Sequence, residues 1–150
     1  MQTFRTEIQI DSNPDQVFAY VTDFENMDKY LTTLHHASPA GEGKIEVEGE
    51  VEGHHYDRDG WFEKDEAERT MEWGSNGASV YNGHLAVREL MGNSLLEIML
   101  NFGAQPGEEA EFEQTIQSRG PAIQDGLERA AQAIRANVEG VRVSDGAYVA

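Results

Sequence analysis

The spacing of apolar residues changes once in the second half of this chain, and that change restricts its fold more than any other feature. In strand-length segments between residues 44 and 102 apolar positions recur every second residue; beyond Gly107 they recur every third or fourth. Lys44–Glu52 shows the first pattern most clearly. Ile45, Val47 and Val51 occupy one parity, and Glu46, Glu48, Glu50 and Glu52 the other. A helix would scatter these two sets around its circumference, whereas a strand sorts them into a dry face and a wet face. Gly49 and Gly53 interrupt the dry row, which suits a bend or bulge in a curved sheet.

Further strands are expected at Thr32–Ser38, Tyr56–Lys64, Thr70–Trp73, Ser79–Glu89 and Leu95–Phe102, separated by turn-forming segments at Asp65–Glu68, Gly74–Gly77 and Gly92–Asn93. The dry faces of the last two are Tyr81, Gly83, Leu85, Val87 and Leu96, Ile98, Leu100, Phe102. Short connections require an antiparallel meander, because parallel pairing needs long crossovers. After Gly103–Gly107, Phe112, Ile116, Gly120, Ile123, Leu127, Ala130 or Ala131, Ile134 and Val138 form one amphipathic stripe. The stripe predicts a long helix with acidic Glu108, Glu109 and Glu111 at its start, a kink at Pro121 and an end at Gly140. Residues 141–150 then read as a tail, leaving one domain over residues 1–140.

The N-terminal segment adds a strand and two short helices. Phe4, Thr6, Ile8 and Ile10 alternate with polar residues, and Asp11-Ser12-Asn13-Pro14 stops the alternation. Asn13 suits an N-cap and Pro14 the first helical position. The helix that follows should bury Val17, Phe18 and Val21, with Phe24 as a further member, and Met27–Leu31 reads as a second short helix.

Composition narrows the function classes. The chain of 150 residues carries 28 acidic against 11 basic side chains, a net charge of −17, and only three lysines: Lys29, Lys44 and Lys64. Nucleic acid and anionic membranes both demand a basic patch, so neither is expected as a partner. There is no cysteine, which removes disulfides and thiolate metal sites. The N-terminus lacks an apolar leader core and no run approaches the ~20 apolar residues of a membrane span. A soluble, cytoplasmic protein without membrane insertion is the expectation.

The order of elements resembles the START-like helix-grip (SRPBCC) superfamily, in its polyketide cyclase/dehydrase-like branch. The resemblance is carried by Ile8-Gln9-Ile10-Asp11-Ser12-Asn13-Pro14-Asp15-Gln16-Val17-Phe18 at the first strand–helix junction. Asp23-Phe24-Glu25-Asn26-Met27-Asp28-Lys29-Tyr30 looks like the two-helix linker, with Tyr30 where many members have tryptophan. Arg69-Thr70-Met71-Glu72-Trp73 looks like the strand that ends in tryptophan. The likeness spans roughly residues 3–138. It implies an α+β helix-grip fold: a curved antiparallel sheet of about seven strands around a long C-terminal helix, with two short helices between the first and second strands. It also implies a cavity between sheet and helix that is open at one end, for which a small hydrophobic ligand, without a cofactor, is the first expectation. No catalytic signature is shared across the superfamily, so none is carried over.

Within that fold the expected cavity lining is Val47, Val51, Met71, Trp73, Tyr81, Leu85, Ile98, Ile123 and Leu127. Glycines on the dry faces (Gly49, Gly83, Gly120) either help open the cavity or permit bending and close packing. Tyr81 and Trp73 each pair a ring with one hydrogen-bonding group. His36, at the parity of Leu34, and Arg58, at the parity of Tyr56 and Phe62, are the other candidates for catalysis or ligand contact, against ordinary structural roles. Trp61 has the opposite parity to Phe62, which leaves the inward face of residues 56–64 open. His55, Asp57 and Asp59 share a face but read as a solvated edge, so no metal site is expected. The Glu row of residues 46–52 reads as a wet face. No G-x-S-x-G elbow, phosphate loop or G-x-G-x-x-G motif is present, Gly41 and Gly43 being followed by Glu46. Three readings therefore stand: a binding protein for a small hydrophobic or aromatic metabolite or lipid, a cyclase/dehydratase-type enzyme using Tyr81, His36 or Arg58 in the same cavity, and an acidic protein-interaction module. A homodimer stays open.

Overall fold

Alternation in the first ten residues produces strand β1, Gln2–Ile10, and the predicted stop signal then starts helix α1, Pro14–Val21. The side-chain oxygen of Asn13 accepts from the backbone N–H of Gln16 at 2.8 Å, satisfying one orphan donor, and Pro14 occupies the first turn. Six strands follow: β2 Leu34–Pro39, β3 Lys44–Val51, β4 His54–Asp65, β5 Thr70–Ser75, β6 Val80–Leu90 and β7 Asn93–Gly103. Helix α2, Glu109–Ser144, is the last described element. This computed structural model describes the backbone of residues 2–23, 25–26, 34–39, 44–51, 54–75 and 80–144, and the side chains of residues 2–23, 25–26, 61–74 and 81–140. The expected second short helix at 27–31, and Phe24, lie outside the described residues.

The strands form one antiparallel sheet in the order β1-β7-β6-β5-β4-β3-β2, a meander with the first strand added beside the last. Its register runs Phe4↔Leu100, Leu100↔Gly83, Gly83↔Trp73 and Trp73↔Phe62, so these residues share one face. The dry faces expected for β6 and β7 pair row by row: Tyr81 with Phe102, Gly83 with Leu100, Leu85 with Ile98, Val87 with Leu96. In β4, Phe62 stands in the row of Trp73, whereas Trp61 stands opposite Gly74. Pairing thus resolves, for this part of β4, the parity that alternation left open.

Two expectations change. Helix α2 does not end at Gly140 but continues to Ser144, because a glycine ends a helix only where the chain leaves helical geometry there. Pro121 sits inside this single helix. In β2, a register shift between Leu34 and His36 puts Leu34 opposite Gly49 but His36 opposite Glu48. Parity cannot be counted across an extra residue, so His36 takes the register of the glutamate row rather than that of Leu34.

Packing is densest at one end of the sheet, where β1 finishes and β7 begins. There α1 wedges against β6, β7 and α2, and Ile10, Val17, Val21, Leu96, Ile134 and Val138 are almost wholly excluded from solvent. Polar groups at this end are paired: Ser94 Oγ donates to the Ser12 carbonyl at 2.7 Å, the Asp11 N–H donates to Glu139 at 2.9 Å, and Asn137 Nδ2 donates to the Tyr20 hydroxyl at 2.9 Å. On the convex face the buried Glu97 carboxylate accepts from Arg5 Nε at 2.9 Å and lies 3.7 Å from Arg88. That hydrogen bond, then the charges of Glu97 and Glu7, raise the Arg5 guanidinium above its usual pKa. Among the described residues no helix is long and apolar enough to cross a membrane.

Candidate functional site

The other end of the concave face is built from the same kinds of side chain, but there the described residues are only half-buried. Leu100 and Phe102 of β7, Tyr81 of β6, Trp73 of β5, Phe62 of β4, and Ile116 and Ile123 of α2 are all half-buried. All but Tyr81 pack directly against the buried core as its partly exposed margin, and Tyr81 joins them through Phe102. Along α2 the stripe changes character midway: Phe112, Ile116 and Ile123 are half-buried, while Leu127, Ala130, Ala131, Ile134 and Val138 are buried. Toward the start of α2 the sheet and helix therefore bound an apolar margin that reaches solvent.

The wall of this margin is a connected aromatic array. The Phe4 ring meets Phe102 edge-on at 5.9 Å, and Phe102 lies tilted against Tyr81 at 5.0 Å. The indole Nε1–H of Trp73 donates to the Tyr81 hydroxyl oxygen at 3.0 Å. A partly buried indole N–H gains from a fixed acceptor, and Tyr81 supplies it while orienting the ring. Trp73 also lies across Gly83: a Cβ there would fall 2.3 Å from both Cε2 and Cζ2 and 2.6 Å from Nε1. Gly83 therefore makes room for an indole and does not open a void. Gly120 makes a gentler approach, its missing Cβ 3.6 Å from the Phe4 ring. At these two positions the close-packing alternative holds and the cavity-opening one does not.

The residues expected to line a cavity divide accordingly. Met71, Leu85, Ile98 and Leu127 belong to the buried core. Trp73, Tyr81 and Ile123 stand at the half-exposed margin. The side chains of Val47, Val51, His36 and Arg58 lie outside the described residues; the backbone of Arg58 pairs opposite Val47, at the parity of Phe62. The His55, Asp57 and Asp59 side chains lie outside them as well. Phe102, Leu100, Phe62 and Ile116 join the margin without having been singled out. Phe102 and Leu100 were already visible as the continuation of the β7 dry row, and Ile116 as a member of the α2 stripe. Among the described residues no cluster of three or more metal-ligating side chains occurs.

A separate recess of about 400 Å³ lies between β1 and α2, lined by Thr6, Glu7, Ile8, Glu128, Ala131, Gln132 and Arg135. It is mainly polar and shares no residue with the aromatic margin. Beside it, Gln124 Nε2 donates to the Arg5 carbonyl at 3.0 Å, covering part of the exposed edge of β1.

Comparison with solved structures places this architecture in company. TTHA0849 from Thermus thermophilus superposes with a TM-score of 0.74 at 16% identity, covering 93% of this chain and 99% of that one. A START superfamily protein from Mycobacterium smegmatis gives 0.71 at 14% identity, over 93% and 98%. The di-domain ARO/CYC BexL from the BE-7585A biosynthetic pathway gives 0.70 at 16% identity over 97% of this chain; the chain spans 48% of the BexL length. At such identities the likeness is one of fold. No curated protein matches the sequence. The family model described as polyketide cyclase / dehydrase and lipid transport matches residues 1–137, and the chain belongs to that family.

Proposed function

We propose that this protein binds a small hydrophobic or aromatic molecule at the half-open end of its concave face, against Trp73, Tyr81, Phe102, Leu100, Ile116 and Ile123. The observation that carries this reading is the change in burial along one continuous apolar surface. Chemistry and register stay constant from the closed end to the open end, yet only the closed end is completed by α1. A ligand would supply the missing apolar surface. Covering ~200 Å² of ligand contributes about 5 kcal/mol before ordering costs, and ring contacts add about 1 kcal/mol, enough for sub-millimolar binding. Membership of a family that joins cyclases, dehydrases and lipid transport supports the class of ligand. The experiment is native mass spectrometry of the protein purified under gentle conditions, followed by titration with a neutral hydrophobic probe. A retained hydrophobic molecule, or saturable probe uptake lost on Ile123→Glu, is the expected outcome; a protein that takes up no probe has no such site.

One observation favours a second reading, catalysis of the cyclase/dehydratase type. The hydrogen bond from Trp73 holds the Tyr81 hydroxyl in a set position on an apolar wall, the arrangement needed to polarise a carbonyl of a folded substrate. Tyr81→Phe would then abolish turnover while leaving binding within about twofold.

A further inference from the structure

Resting on the binding reading above, we infer that Trp73 is a stacking platform that makes the open end prefer planar aromatic molecules over flexible acyl chains. The geometry at Gly83 leads to it. Approach to the indole at its rim, between Nε1 and Cζ2, would bring Nε1 nearer than the ring-fusion carbon Cε2. The observed order is reversed, with Cε2 and Cζ2 at 2.3 Å and Nε1 at 2.6 Å from the position of a Cβ. Gly83 therefore faces the flat of the ring. One π-face therefore lies on the sheet, which leaves the opposite face and the edges of this half-buried ring as the surface a ligand would use.

The ring is also held against rolling. Its N–H is bonded to Tyr81 at 3.0 Å, and Tyr81 is itself braced by Phe102 at 5.0 Å, which is braced by Phe4. A fixed, flat π-surface gains most from a flat partner in offset contact, whereas an acyl chain touches it along a line and gives up torsional freedom to do so. Tyr81 acts here as a positioning residue: it orients the platform through the indole N–H.

The test uses two neutral alcohols of equal carbon number, 2-naphthol and 1-decanol, titrated by calorimetry into the whole protein. The expected result is saturable binding of 2-naphthol that is tighter than that of 1-decanol. Trp73→Leu weakens 2-naphthol by about tenfold and leaves 1-decanol within about twofold, while Trp73→Phe restores part of the preference. Tyr81→Phe narrows the preference without abolishing 1-decanol binding. Equal losses of both alcohols in Trp73→Leu, or wild-type binding of 1-decanol alone, overturn the platform and leave the binding reading intact. Failure of both alcohols to bind wild type overturns the two together. Tyr81→Phe and Trp73→Phe, which keep rings in place, cover the case in which Trp73→Leu does not fold.

Discussion

Ile134 and Ile123 stand about three turns apart on the same stripe of α2, carry the same side chain and face the same sheet. Ile134 is 1% exposed and Ile123 is half-buried. The difference comes from what lies beside them. At Ile134 the wedge between sheet and helix is filled by Val17, Phe18 and Val21 of α1 and sealed by the Ser94–Ser12 and Asn137–Tyr20 hydrogen bonds. At Ile123 the neighbours are half-exposed themselves. Closure at one end is thus a property of a third element and not of the helix–sheet pair, and the open end is where stability has been left unclaimed.

The largest expected effect breaks this comparison directly. Ile134→Ala should destabilise the fold by about 3–4 kcal/mol and Ile123→Ala by about 1 kcal/mol, read as urea midpoints at constant slope. Equal losses would mean that the two ends are packed alike. Next come the two glycines of the concave side. Gly83→Ala drives a Cβ into the Trp73 indole and should cost about 2 kcal/mol with a shift in tryptophan emission, whereas Gly120→Ala meets Phe4 at ordinary contact distance and should gain about 0.5 kcal/mol from helix propensity. If Gly83→Ala is silent, the indole does not lie where the register puts it. Ser94→Ala, which leaves the Ser12 carbonyl without its buried donor, should cost about 1.5 kcal/mol and speed hydrogen exchange at the closed end only. The smallest effect lies at the β6–β7 turn. Met91, at φ 54 and 97% exposed, precedes Gly92 at φ 87, so Met91→Asn should stabilise by about 0.5 kcal/mol in thermal unfolding.

Much of the scaffold could be read from the residues. Asn13-Pro14 marked the start of α1, the β6 and β7 dry rows paired as alternation implied, and the 112–138 stripe became the sheet-facing side of α2, buried from Leu127 onward. The candidate site was legible only in part. Of the expected lining, Trp73, Tyr81 and Ile123 stand half-buried, whereas Met71, Leu85 and Ile98 on the same sheet face and Leu127 on the same helix stripe are buried in the core. Alternation reports which face a residue takes, not how far along that face the packing is complete. His36 shows the same limit in another form, since one register shift cancels a count of odd and even positions.

What the sequence determined alone is therefore periodic: which residues form strands and helices, which parity is dry, where caps and turns fall. These are set by local sterics and by the repeat of each element, both of which act within a few residues. Tertiary structure decided everything that depends on a neighbour distant in the chain. It chose the register that lays Trp73 on Gly83 and gives its N–H to Tyr81, and the placement of α1 that seals one end and leaves the other open. Such contacts join residues whose partners no local pattern names, because burial and ring packing depend on what arrives from another part of the chain.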